Sequence, residues 1–230
     1  MQKDLSKLEK IIGVTFKNKD LLKEAVIHRS YLNEHPGSGL NQNERLEFLG
    51  DAVLELVVTE NLFINFDNQE GELTNWRASL VNSKMLSKIA EKTELKDYIL
   101  LSKGEQKDTG KARQFILANA VEAVIGAIYM DHGWDASKKF IEDFILVELD
   151  EILDKKLYID PKSRFQELSQ EKSGTTPSYK VLDETGPDHE KTFTVGVYLK
   201  SEQIAIGEGT SKQEAQEDAA KNGLTEKGWV

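Results

Sequence analysis

The chain has 230 residues, with 40 Asp and Glu against 30 Lys and Arg, a formal charge of −10, and no cysteine. The missing cysteines exclude a disulfide framework, a thiolate nucleophile and a thiolate zinc site; the acidic sum excludes a uniformly basic nucleic-acid binder but not a local basic patch beside clustered acids. The length suits one or two domains; no apolar run reaches the roughly 18 residues of a bilayer span, and MQKDLSKLEK lacks the apolar core of a signal peptide, so cytoplasm is the expected compartment.

Residues 5 to 27 show helical periodicity. Leu5, Leu8, Ile11 and Ile12 recur on one side, Gly13 interrupts, and Leu21, Leu22, Ala25 and Val26 resume, which predicts two amphipathic packing helices. His28 to Pro36 ends the second, and Pro36 to Gly39 forms a loop. Then comes NERLEFLGDAVLELVVT, Asn43 to Thr59. Glu44, Glu47 and Asp51 stand at i, i+3 and i+7, within roughly 60° of one another on a helix, so three carboxylates share a face. Leu46, Phe48, Leu49, Val53, Leu54, Leu56, Val57 and Val58 fill nearly every other position, the pattern of a helix buried in a core. A carboxylate withdrawn from water is costly unless it is paired or bound to a cation, and Arg45 points elsewhere. Hard oxygen donors of this kind suit Mg²⁺ or Mn²⁺; a solvated acidic stripe is the alternative.

Residues 67 to 75, DNQEGELTN, predict a polar turn and then a helix from about Thr74, with Trp76, Leu80, Val81, Met85 and Ile89 as its apolar stripe. Arg77 and Lys84 face solvent or a phosphate. A short helix near Glu94 to Leu100 precedes Ser102 to Gln114, which is rich in Gly and Lys and reads as a flexible basic loop. LANAVEAVIGAIYM, Leu117 to Met130, is a helix of small residues. Gly126 lets it press on a neighbour, and Gly50 offers the matching gap. Asn119 and Glu122 share a face of this apolar helix. Laid side by side, the two helices would converge Glu47, Asp51, Asn119 and Glu122 on one cation; a buried arginine or backbone donor could instead satisfy Glu122. A helix from about Asp135 to Asp154 closes a domain over residues 1–154. The four histidines, His28, His35, His132 and His189, lack ligand spacing.

Residues 155–160 read as a linker, and over 161–230 the pattern changes. Pro161 to Glu171 is a helix, Ser178 to Leu182, Phe193 to Leu199 and Gln203 to Ile206 alternate like strands, and Ser211 caps a helix reaching Lys227. The fold class is thus mainly α: an all-helical domain followed by a small α-β-β-β-α domain.

The runs HRSYLNE, NERLEFLGDAVLELVV, EGELTNWRASLVN and ANAVEAVIGAIYMD stand in the order found in bacterial ribonuclease III, which the chain resembles over nearly its whole length. The resemblance implies a homodimer that uses Mg²⁺, with Mn²⁺ able to substitute, and needs neither a membrane nor a small-molecule cofactor. It implies hydrolysis of both strands of double-stranded RNA to 5′-phosphate and 3′-hydroxyl ends with short 3′ overhangs, in RNA processing such as ribosomal precursor maturation. Carried over by position, Glu47, Asp51, Asn119 and Glu122 hold the metal, with Asp51 and Glu122 the catalytic pair. Glu44 and Glu70 are auxiliary acids, and Phe48 is an interface knob entering the partner subunit unless it packs within its own core.

The carboxy-terminal segment is similar to a double-stranded-RNA-binding domain. That similarity assigns Ser163, Gln166 and Gln170 to minor-groove 2′-hydroxyls, His189 to the next minor groove, and Ser211 with Lys212 to phosphate at a helix start. Two departures stand out. Asn119 replaces the family's usual Asp, which removes one charge from the metal site, and Gln213 follows Lys212 where a second basic residue is usual. Residues 156 to 230 hold ten Lys and Arg against thirteen Asp and Glu, a net of −3. The alternative is therefore a duplex-RNA-binding protein with weakened or lost cleavage. A di-metal redox bundle lacks its Glu-x-x-His ligands.

Overall fold

The computed structural model describes residues 4–107, 109–187 and 191–229. It divides into the units Met1–Tyr158 and Ile159–Val230. In the first unit the helices are α1 (Ser6–Ile12), α2 (Lys19–Ala25), α3 (Arg29–Glu34), α4 (Glu44–Asn65), α5 (Glu70–Val81), α6 (Ser83–Lys92), α7 (Lys111–His132), α8 (Trp134–Phe144) and α9 (Leu149–Asp154). The core forms around α7, which is buried at nearly every position from Ile116 to Ile128 and packs on α4, α6, α2 and α8. Among the described residues α7 is also the one helix long and apolar enough to cross a membrane, contrary to the run-length reading; most of its apolar window is buried inside the unit.

The α4–α7 contact is backbone on backbone. A Cβ added at Gly50 would lie 1.7 Å from the carbonyl oxygen of Glu122, and one at Gly126 would lie 2.1 Å from that of Leu46. Only hydrogen fits at either position.

Several local expectations are corrected. Residues 29–34 form their own short helix, because His28 Nδ1 accepts the Ser30 N–H and Ile27 bridges to Leu100. α5 begins at Glu70 rather than near Thr74. Leu95–Asp97 is a single 3₁₀ turn, the basic loop holds another at Glu105–Lys107, and α7 starts at Lys111. The long last helix breaks at Ile145 into a 3₁₀ turn, Leu146–Glu148, before α9. That break turns Glu148 inward, where it is buried and pairs with Lys92 and with Lys88 at 2.6 Å. The span 155–160 is not free linker at its start, since Leu157 bonds back to Ile152 and the Tyr158 ring meets Trp76 edge-on at 5.9 Å.

α4 is not buried all round. Phe48 is 80% exposed, Phe63 78% and Leu56 57%. With Ala52 they form an exposed apolar stripe within roughly 80° of helix surface. Periodicity shows that both sides of α4 are apolar but not which side its own chain covers.

The second unit contains α10 (Pro161–Ser173), β1 (Ser178–Thr185), β2 (Thr192–Leu199), β3 (Glu202–Gly209) and α11 (Lys212–Glu226). Its antiparallel sheet has the order β1-β2-β3. Phe165 of α10, Val195 and Val197 of β2, and Ala215 and Ala219 of α11 make its core. Asp160 caps α10 by accepting the Ser163 N–H at 2.8 Å, with Pro161 in the first turn, where no N–H is missed.

Candidate metal and RNA-binding sites

The glycine crossing sets the acids of α4 against Glu122 of α7. Glu122 is half-buried, and its pKa is pushed up to about 8, first by burial and then by the charges of Asp51, Glu47 and Glu55. Glu47 is also raised, by burial and by Glu44 and Asp51, against a hydrogen bond from the Asn119 side chain that stabilises its charge. Asn119 therefore stands where its side chain favours the charged form of Glu47. Among the described residues no ion pair reaches Glu47, Asp51 or Glu122; the basic groups nearby are taken by other acids, Arg77 by Glu55 at 3.0 Å and Arg29 by Glu44 at 3.8 Å.

Two expectations about this cluster change. Asp51 and Glu44 are exposed, so only Glu47 and Glu122 are withdrawn from water. Nor do the donors already converge on one cation: no three Asp, Glu or His side chains among the described residues close on a common point. Without a counter-charge, acids this close repel one another. The donor set still fits a hard divalent ion, with three carboxylates and an amide oxygen, two of the carboxylates half-buried, and no cation among the described residues neutralising them.

Glu55 was not singled out in the sequence, and Arg77, expected to face solvent or a phosphate, pairs with it instead. Glu55 lies one turn beyond Asp51 and continues the row through Glu44, Glu47 and Asp51. Arg77 on α5 holds it and also donates to Thr59 Oγ1 at 3.0 Å. The i+4 spacing from Asp51 was the available signal, lost among the surrounding leucines and valines. Glu70 stands apart, because α4 runs on for 14 residues beyond Asp51, about 21 Å of helix, before α5 begins. It lines a separate cavity of about 600 Å³ with Leu62, Phe63, Phe66, Leu73 and Arg77. A second open depression, about 550 Å³, lies beside Glu47 and Asn119 and is walled by His28, Arg29, Asn33, Asn43 and Glu105. Burial lowers the His28 pKa, so this wall holds a neutral imidazole at pH 7.

In the second unit Ser163, Gln166 and Gln170 are all exposed on α10, on the side away from Phe165 and Leu168. Ser211 caps α11, its Oγ accepting the Glu214 N–H at 3.2 Å. Lys212 pairs with Glu184 at 3.0 Å. His189 lies outside the described residues.

Residues 18–149 match the family described as Ribonuclease-III-like, and residues 161–227 match the double-stranded RNA binding motif. Ribonuclease 3 of Carboxydothermus hydrogenoformans is 45% identical over 224 residues, covering 97% of this chain and 95% of the relative. Ribonuclease 3 of Nitratiruptor sp. is 45% identical, covering 96% of each. A solved nuclease domain of ribonuclease III from Campylobacter jejuni superposes with a TM-score of 0.57 at 43% identity, over 64% of this chain and 97% of that one. A second structure of that domain, described for flexibility in a region involved in dimer formation, gives 0.56 at 44% identity over 62% and 96%.

Proposed function

Because the chain belongs to the ribonuclease III family, we propose that it is a cytoplasmic, Mg²⁺-dependent endoribonuclease acting as a homodimer. It would cut double-stranded RNA to 5′-phosphate and 3′-hydroxyl ends with short 3′ overhangs, in RNA processing such as ribosomal precursor maturation. The observation that carries the metal reading is Glu122, a carboxyl at about 8 among three other acids with no basic partner among the described residues.

Glu47, Asp51, Asn119 and Glu122 would hold the ion. Bound there, Mg²⁺ would supply Lewis-acid stabilisation of charge on the phosphoryl oxygens and a water deprotonated near neutral pH. Glu122 would hold the ion as the carboxylate, its proton lost in exchange. The Asn119 amide keeps the Glu47 carboxylate oriented. The depression beside them leaves room for an RNA strand, and Ser163, Gln166 and Gln170 present hydroxyl and amide groups to a duplex minor groove. Incubation with a long RNA duplex tests this reading: shortened 5′-phosphorylated products in Mg²⁺ and none in EDTA are expected, whereas stable complexes with intact RNA in Mg²⁺ would favour a binding protein.

Asn119 motivates that second reading, because an amide offers the ion one negative charge fewer than an aspartate. Asn119→Asp is expected to lower the Mg²⁺ concentration for half-maximal cleavage about three- to tenfold. Superimposable Mg²⁺ curves for the two proteins would discard the idea.

The exposed stripe on α4 supports the dimer. A two-fold pairing of α4 with its copy in antiparallel orientation would bring each Phe48 to the copy's cavity lined by Leu62, Phe63 and Phe66, and would cover both stripes. Phe48→Asp is expected to weaken association about thirtyfold or more, the loss typical of a central aromatic anchor. Sedimentation at micromolar concentration reads it; a wild-type protein found only at 26.0 kDa would remove the dimer.

A further inference from the structure

At the head of α11 the chain's own carboxylates engage Lys212 and the Thr210 amide and hydroxyl. Lys212 Nζ lies 3.0 Å from Oε1 of Glu184 and 5.5 Å from the centre of the Phe193 ring. Oε2 of the same glutamate stands 3.8 Å from Nζ of Lys191. Glu184 is on β1, opposite Phe193 of β2 in the ladder, so sheet register holds it between the two lysines. Beside it, Oε2 of Glu214 accepts the Thr210 N–H at 3.0 Å and the Thr210 hydroxyl at 2.5 Å, while Ser211 takes the Glu214 N–H. The Thr210 amide and hydroxyl and the Glu214 amide at the start of α11 are thus engaged from within.

Resting on the reading of this unit as a duplex-RNA reader, we propose that Glu184 is an intramolecular decoy for phosphate. Its two oxygens engage Lys212 and Lys191 in the RNA-free protein and give way when the RNA backbone arrives. The pair is exposed enough to be displaced, with 36% of the Glu184 side chain and 57% of the Lys212 side chain in solvent, and such pairs are individually weak. Gln213 adds no second charge beside Lys212, so a decoy there withholds the main cation of this helix start. Two consequences follow physically. RNA affinity is lower than Lys212 alone would give, and the contact exchanges one internal ion pair for another instead of neutralising a free lysine, which flattens the salt dependence.

The test is duplex-RNA affinity of the full chain in EDTA across a KCl series. Glu184→Gln is expected to bind about threefold tighter at low salt, within the range of an exposed pair. The slope of log affinity against log salt should steepen by about 1, one more phosphate neutralised per lysine released. In a Lys212→Ala background the same substitution is expected to give a clearly smaller gain, that of the longer Lys191 pair alone. Glu202→Gln removes an equal charge at the far end of the sheet, from its pair with Lys227, and should change neither quantity. Unchanged affinity and slope in Glu184→Gln would overturn the decoy. So would a gain that persists in full without Lys212, since general repulsion then explains it. A wild-type chain that binds no duplex would instead overturn the RNA reading on which the decoy rests.

Discussion

Glu122→Gln is expected to lower the cleavage rate by about a thousandfold while duplex affinity in EDTA stays within about twofold. The size follows from removing one charged group from a site whose work is electrostatic, where single donors typically matter at this level. The affinity is spared because the RNA contacts assigned to α10 and α11 belong to the other unit. Single-turnover cleavage beside gel-shift titration measures both, and a rate within tenfold of wild type would remove Glu122 from the catalytic set.

The same substitution has a stability signature of definite sign. The folded protein holds the Glu122 proton up to about pH 8, against 4.5 for an ordinary glutamate. The stability associated with that proton is intact below about pH 4.5 and is lost as pH rises to about 8. The full shift corresponds to nearly 5 kcal/mol, which partial solvent screening reduces to about 2. In EDTA at pH 9, Glu122→Gln should therefore melt several degrees above wild type, and below pH 4.5 the two should coincide. Here a group costs stability in the ion-free fold, as expected of one kept to meet a cation.

Gly50→Ala and Gly126→Ala should each cost at least about 3 kcal/mol, at or beyond the upper end of overpacking effects, because the obstructing atoms are backbone carbonyls on the facing helix rather than movable side chains. Gly71→Ala provides the contrast. Its Cβ would meet nothing within 4 Å in α5, and the change should stabilise by about 0.5–1 kcal/mol through helix propensity. Urea unfolding of the three variants tests the ranking. A Gly126→Ala protein as stable as wild type would mean that α4 and α7 can separate, and with them the acids.

Much of this site was legible because helical periodicity and the Gly50–Gly126 pair both operate at the level of single letters. Position along a helix places Glu47 and Asp51 on one side, and Gly126 in a helix of small residues, with Gly50 on the other helix, announces a close crossing. The three strands were readable as strands, with Val195 and Val197 on one face, but β1 and β3 each run three residues past the ends expected from the sequence. What escaped depended on the chain's surroundings. The polar run before Glu70 hides a helix start that carries no side-chain cap. The break at Ile145 has neither Gly nor Pro to mark it. Glu55 looked like a filler between Leu54 and Leu56 until Arg77 arrived from another helix. Exposure of Asp51 and Phe48 depends on which face of α4 the same chain covers, which periodicity leaves open.

The most direct measurement is calorimetric titration of Mn²⁺ into the RNA-free protein at pH 7 in two buffers of different ionisation enthalpy. With Glu122 at about 8, the expected result is binding accompanied by release of about 0.9 proton, falling towards zero at pH 9.5 and in Glu122→Gln. Binding with no proton released at pH 7, or no difference between wild type and Glu122→Gln, would contradict the claim that crossed helices hold these acids ready for a divalent ion.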